Sequence, residues 1–151
     1  MKWIKRIVLI LIALFIAGQL VRPNLANPAV DRAQALQAPP QVQTILDRSC
    51  RDCHSSDTSW PWYTNITPVN WWLMDHVKEG RRELNYSNWT TFSLKRKTRK
   101  FKEICDEVTE GKMPPKNYLW IHTEAKLSDA DRETLCLWAK GESAKLARAG
   151  T

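Results

Sequence analysis

The first hydrophobic pattern in the chain is continuous. Ile7 to Val21 reads IVLILIALFIAGQLV, fifteen residues with no charge and one polar side chain, Gln19. As helix this run spans about 23 Å, against a bilayer core of about 30 Å. Counting from Trp3 gives nineteen residues and about 28 Å, with Lys5 and Arg6 reaching back to the headgroups. Residues 1–21 therefore read as a transmembrane anchor or a signal helix. A cleavable signal needs small residues at alternate positions soon after the apolar run. The nearest clear pair, Ala33 and Ala35, lies well downstream, which favours an uncleaved anchor. Lys2, Lys5 and Arg6 hold the N-terminus in the cytoplasm. The expected location is a membrane, with the rest of the chain on the side away from the cytoplasm.

After this run the pattern changes. Residues 22–41 carry Pro23, Pro28, Pro39 and Pro40 among small and polar residues, and read as a semi-rigid linker. From there apolar positions recur every three or four residues. Val42, Ile45 and Leu46 mark a short helix leading to Cys50. Thr67 as cap and Pro68 at the first position open a helix whose stripe is Val69, Trp72, Leu73, His76 and Val77, with Gly80 as its stop. Met74 lies about 130° off that stripe. Residues 81–93 read as a polar loop anchored by Leu84, Tyr86, Trp89 and Phe92. Ser93 caps a helix over 94–110 with Leu94, Phe101, Ile104, Cys105 and Val108 on one side, ended by Gly111. Ser128 caps a last helix through Leu135, Leu137, Trp138 and Ala139 to Gly141, and 142–151 reads as a frayed tail. No alternating stretch is long enough for a sheet. The expected fold is all-α, a small domain of about four helices over 42–141, behind the N-terminal transmembrane or signal helix.

Charge and composition narrow the function. Of the net charge of +7, Lys2, Lys5, Arg6 and Arg22 flank the first run, so the remainder is mildly basic. No nucleic-acid-binding motif accompanies it, and no nucleic-acid partner is expected. Lys95, Arg96, Arg99, Lys100 and Lys102 form a solvated helix face or a docking surface for an acidic redox partner. Eight tryptophans in 151 residues either pad a small core or wall a pocket for a large flat cofactor.

The chemistry centres on Cys50-Arg51-Asp52-Cys53-His54. Two cysteines three apart share a helix face, so both thiols reach one porphyrin edge, and the adjacent histidine serves as the proximal iron ligand. This is the attachment signature of a covalent haem c, a chemistry of exported proteins. Met113, in the rigid Lys112-Met113-Pro114-Pro115 loop, is the candidate sixth ligand. Its alternatives are His76 and His122, each of which otherwise satisfies a hydrogen bond. Cys105 and Cys136 read as a disulfide or as two buried thiols. A zinc site using Cys50, Cys53 and His54 needs a fourth ligand and crowds neighbouring positions. A thioredoxin-like site lacks its strand–helix–strand context.

These residues resemble the bacterial haem-binding domain family, c-type cytochrome-like proteins, from about Ser49 to Trp138. The resemblance rests on Cys50-Arg51-Asp52-Cys53-His54-Ser55, Pro61-Trp62-Tyr63, Pro68 with Trp71, His76-Val77, Gly80-Arg81, Leu84-Asn85, Ser87, Trp89, Ile104-Cys105, Gly111 with Met113-Pro114, Tyr118, His122, Ala125, Leu127-Ser128 and Trp138. Tyr86 and Pro115 depart from the family pattern. The resemblance implies a mostly helical domain with one covalent haem c. The expected function is single-electron transfer by a membrane-tethered monohaem protein serving a redox partner. The alternative is a peroxidase-like enzyme or a ligand sensor, with an open sixth iron position and His76 as a nearby acid–base group.

Overall fold

The computed structural model describes residues 1–149. Its helices are α1 (Lys2–Gly18), α2 (Pro40–Ser49), α3 (Arg51–His54), α4 (Val69–Glu83), α5 (Leu94–Thr109) and α6 (Asp129–Ala149), joined by short 3-10 turns. No strand occurs among the described residues, so the all-α expectation holds.

The core is an antiparallel α5–α6 hairpin with α2 laid against it. Val42, Ile45 and Leu46 of α2, Phe101, Cys105 and Val108 of α5, and Leu135 and Ala139 of α6 are all buried together. Phe101 meets Trp138 edge-on at 5.2 Å and Trp89 at 4.8 Å. A disulfide joins Cys105 to Cys136 across the hairpin. Both helices start as their caps dictate. Ser93 Oγ accepts from the Arg96 N–H at 3.3 Å. Ser128 Oγ accepts from the Asp131 N–H at 3.1 Å, while the Asp131 carboxylate accepts from the Ser128 N–H at 2.9 Å. These are the reciprocal bonds of a capping box.

Several boundaries differ from the sequence reading. The stretch from Glu142 is helical to Ala149, because it follows α5 back to its start, where Leu146 packs on the core; residues 150–151 of the expected tail lie outside the described residues. Gly80 does not stop α4, which runs on to Glu83. The Thr67–Pro68 peptide is cis, and α4 begins after Pro68 rather than at it. The segment read as loop holds a 3-10 turn, Tyr86–Thr91, that buries Tyr86 and Trp89. Lys100, grouped by sequence with the exposed basic face, is buried beside Glu103 at 2.5 Å and Glu83 at 3.6 Å.

The N-terminal segment also departs from expectation. α1 ends at Gly18, because the chain turns there and the Gln19 side chain folds onto the domain. No helix among the described residues is long and apolar enough to cross a membrane. Nor does 22–41 stand away from the domain. Asn27 exchanges hydrogen bonds with the Thr58 backbone at 2.9 and 3.3 Å, and Leu36 is buried, its N–H donating to the Tyr86 carbonyl at 2.7 Å.

Candidate functional site

A cavity of about 580 Å³ opens between α3, α4 and the loops on either side of Tyr118–Trp120. Cys50, Cys53, His54, His76, Met113 and His122 all line it. The stripe Val69, Trp72, Leu73, His76 is one wall. α4 is thus turned differently from the sequence reading: Val77 of the stripe is buried as expected, but Asn70 and Met74 are buried beside it, whereas Trp72 remains 49 % exposed. The period of the apolar stripe was legible, but its destination is the cavity rather than the core. His76 is accordingly half-buried.

The motif is held in place by close backbone packing. A Cβ on Gly80 would lie 2.7 Å from the Cys53 carbonyl oxygen, so only glycine lets α4 cross α3 at this distance. After the motif, Arg81 gathers the following loop. Its Nε donates to the Ser55 carbonyl at 2.7 Å, and its Nη2 donates to Thr58 Oγ1 and Asn27 Oδ1, both at 2.9 Å. Beneath it, Asn85 Nδ2 donates to Ser56 Oγ, and the Ser56 N–H donates to Ser87 Oγ.

His54 Nδ1 lies 3.1 Å from the Gly80 carbonyl and 3.0 Å from that of Leu84. Carbonyls only accept, so Nδ1 carries the proton and Nε2 keeps its lone pair. Burial lowers the pKa of this histidine against the opposing pull of the two carbonyl bonds, which keeps the ring neutral. A neutral imidazole with one nitrogen fixed by backbone carbonyls is the state in which histidine binds metals. Cys50 and Cys53 are both free. Burial pushes their thiols up to about 12 and about 11, each with a nearby negative charge adding to the effect. At neutral pH they are thiols rather than thiolates, which argues against a thioredoxin-like nucleophile.

The other candidates differ in what they have to offer. The His76 Nδ1–H donates to the Trp72 carbonyl at 2.9 Å, and its ring leans on the Trp72 ring at 4.2 Å. Its Nε2 is left as an acceptor. Both nitrogens of His122 are engaged. Nδ1 faces the Glu124 carboxylate at 3.3 Å and so carries the proton, and Nε2 accepts from the Tyr63 hydroxyl at 2.6 Å. The His122 ring stacks on Tyr118, whose hydroxyl donates to Asp52 Oδ2 at 3.2 Å. His122 would have to give up its Tyr63 bond to reach iron. Met113 is half-buried in the cavity wall, in a loop tied down by its N–H to the Glu107 carbonyl at 3.2 Å. Sequence reasoning did not reach the roles of Gly80, Arg81 and Leu84, although all three belong to the quoted resemblance.

A family model for a haem-binding domain matches residues 8–141. The chain belongs to the haem-binding domain family. No curated protein and no solved structure matches it significantly. The residues present fit a haem on their own chemistry. The cavity volume falls within the range of small-molecule sites, and its walls are largely aromatic and aliphatic. The donor set pairs one neutral, anchored imidazole with a thioether or a second imidazole. No group of three or more His, Cys, Asp or Glu suited to holding a bare metal ion occurs among the described residues, so a zinc site finds no support.

Proposed function

We propose that this member of the family holds one haem c covalently and passes single electrons through it, outside the cytoplasm. The observation that carries this reading is His54, its Nδ1–H anchored on the Gly80 and Leu84 carbonyls beside two free thiols in an apolar cavity. In this reading Cys50 and Cys53 hold the porphyrin through two thioether bonds. His54 supplies Nε2 as the proximal ligand. Met113 supplies the sixth ligand, with His76 as the alternative. Bound haem supplies a one-electron iron couple. The chain fixes the imidazole so that it need not reorient between oxidation states, and Trp72, Leu73 and Ile121 give the cavity apolar walls. With two protein ligands no open position remains for a substrate. We further propose that α1 is the export and lipid-attachment segment and that a redox partner protein meets the exported domain.

The test is the full chain purified from cells with a working haem-ligation apparatus. The expected product carries one covalent haem by mass and shows a low-spin spectrum that Met113→Ala abolishes and His76→Ala does not. Loss of the low-spin spectrum in the His76 variant alone would instead mean bis-histidine ligation. Colourless protein would overturn the reading.

A second reading, a peroxidase-like enzyme or ligand sensor, draws on one observation. Tyr63 and His122 of the cavity wall form a hydrogen-bonded chain that continues to Glu124 outside it, a geometry suited to acid–base work. Carbon monoxide added to the reduced protein separates the two. An open sixth position binds it readily, and a six-coordinate carrier responds poorly.

A further inference from the structure

The junction between α1 and the domain is a built contact. Gln19 Nε2 donates to the Thr67 carbonyl and Gln19 Oε1 accepts from the Thr67 N–H, both at 3.0 Å, so one side-chain amide pairs with a backbone unit as a neighbouring strand would. Two residues on, Trp71 Nε1 donates to the Val21 carbonyl at 3.0 Å. The Gly18 backbone approaches closely enough that a Cβ there would meet Thr67 Cγ2 at 3.6 Å. The apolar helix therefore ends directly on the domain with no spacer between them. The family match also begins inside this helix, at Val8.

The domain surface reached by this contact is rich in exposed aromatic rings. Trp71 is 45 % exposed beside the α1 junction, although its Nε1 is bonded. Trp62 is 75 % exposed in the turn that leads to Thr67. Its neighbour Tyr63 bonds His122, next to which Trp120 is 81 % and Ile121 67 % exposed. Trp62 and Ile121 also line the cavity, whereas Trp71 and Trp120 lie outside its wall, so a ligand in the cavity leaves those two uncovered. Every large apolar side chain of α1 also faces outward, with none buried against the domain. Tryptophan rings with an apolar body and a polar N–H favour the headgroup level of a bilayer. α1 has 17 residues, about 25 Å of helix. A short apolar helix locked to its domain draws the attached edge down to the lipid surface.

We propose that the edge formed by Trp62, Trp71, Trp120 and Ile121 is a membrane-docking surface that seats the mouth of the cavity at the lipid–water interface. This inference rests on the lipid attachment of α1 proposed above and names the surface through which the domain meets the membrane. The occupant is the headgroup layer. Arg22, whose Nε donates to the Gln19 carbonyl at 3.0 Å, sits at the same junction and suits anionic lipid.

The test uses the full haem-loaded chain in phosphatidylethanolamine–phosphatidylglycerol vesicles doped with a lipid carrying a diazirine near its headgroup. After irradiation, adducts are mapped by mass spectrometry. The expected adducts fall on α1 and on the peptides containing Trp71 and Trp120, and none fall on α5 or α6. The domain adducts should drop at least fivefold in a Trp71→Phe, Trp120→Ser variant that keeps its visible spectrum, since neither residue lines the cavity. Adducts on α1 alone overturn the docking surface and leave lipid attachment standing. No adducts on α1 overturn the attachment itself. Domain peptides free of lipid adducts, with a dimer in sedimentation that the same variant loses, assign the edge to a second copy of the chain and also overturn the inference.

Discussion

The α5–α6 half of the domain and the α3–α4 half are held together by different physics. In the first, the buried side chains are apolar apart from the ion-paired Lys100: Phe101 is 2 % exposed, and Leu135 and Ala139 are fully covered. In the second, the most deeply buried are mostly polar: Ser55, Thr64 and Asn70 are 2 %, 1 % and 1 % exposed. Apolar burial, at about 25 cal/mol per Å², stabilises without dictating exact positions. Hydrogen bonds contribute only about 1 kcal/mol each net but fix direction. The half that must aim two thiols and an imidazole at one cavity is built from directional bonds, and the other half supplies stability. The apolar stripe of α4 shows the same division, since Val69, Trp72 and Leu73 wall the cavity instead of enlarging the core.

The largest effect should come from removing the proposed covalent anchors. Cys50→Ser with Cys53→Ser should abolish retention of haem after denaturation, read as loss of the haem mass increment. Hydrogen exchange on that variant should show amides of α3 and α4 losing protection while α5 and α6 keep theirs. Equal loss in both halves would break the comparison.

Removing the other pair should do the reverse. Cys105→Ser with Cys136→Ser opens a cross-link spanning a sequence separation of 31, and should cost about 3 kcal/mol in chemical denaturation. The visible spectrum of the folded variant should not change, because neither cysteine lines the cavity. A shifted spectrum would mean that the hairpin also sets the site geometry.

Gly80 tests the junction of α3 with α4. Helix propensity alone makes Gly→Ala in a helix favourable by about 1 kcal/mol. The added methyl would sit 2.7 Å from the Cys53 carbonyl oxygen and 3.1 Å from Cys53 Cβ, and backbone cannot yield cheaply there. Overpacking should win, for a net loss of about 2 kcal/mol and a perturbed haem spectrum. A more stable Gly80→Ala variant would show that the crossing is looser than the structure indicates.

These tests also mark what could be read from the sequence. The helices with strong caps and clean periods, those begun by Ser93 and Ser128, were legible, because capping and hydrophobic spacing are local. The ends of α1, α4 and α6 were not, because long-range contacts decided them: Thr67 against Gln19, Cys53 against Gly80, and α5 against residues 142–149. The candidate ligands were legible as residue types, and all of them line one cavity. What their chemistry depends on was hidden, since the Gly80 and Leu84 carbonyls that set the His54 tautomer are backbone groups with no sequence signature. Lys100 was misread because its Glu83 partner lies on another helix.

The smallest predicted effect concerns the seam between the halves. α2, which delivers Cys50, is tied to the start of α6 by Arg48 and Asp131 at 2.8 Å. The Asp131 carboxylate also accepts the Ser128 N–H, and this backbone bond is the main reason its pKa lies below the ordinary aspartate value, with Ser128 Oγ and Arg48 adding to it. Its stabilising effect is therefore present above the unfolded-state value of about 3.9 and lost as pH falls through the lower folded-state value. Asp131→Asn should cost about 1 kcal/mol at pH 7, as for a weakened helix cap. The stability curves of the variant and the parent should converge only once pH falls below the lowered folded-state value of Asp131, where both side chains are neutral. Denaturant midpoints measured from pH 7 down to pH 2 give both curves. A constant gap down to pH 2 would mean that the Asp131 charge contributes nothing and that the seam is held by the packing of Val42, Ile45 and Leu46 alone.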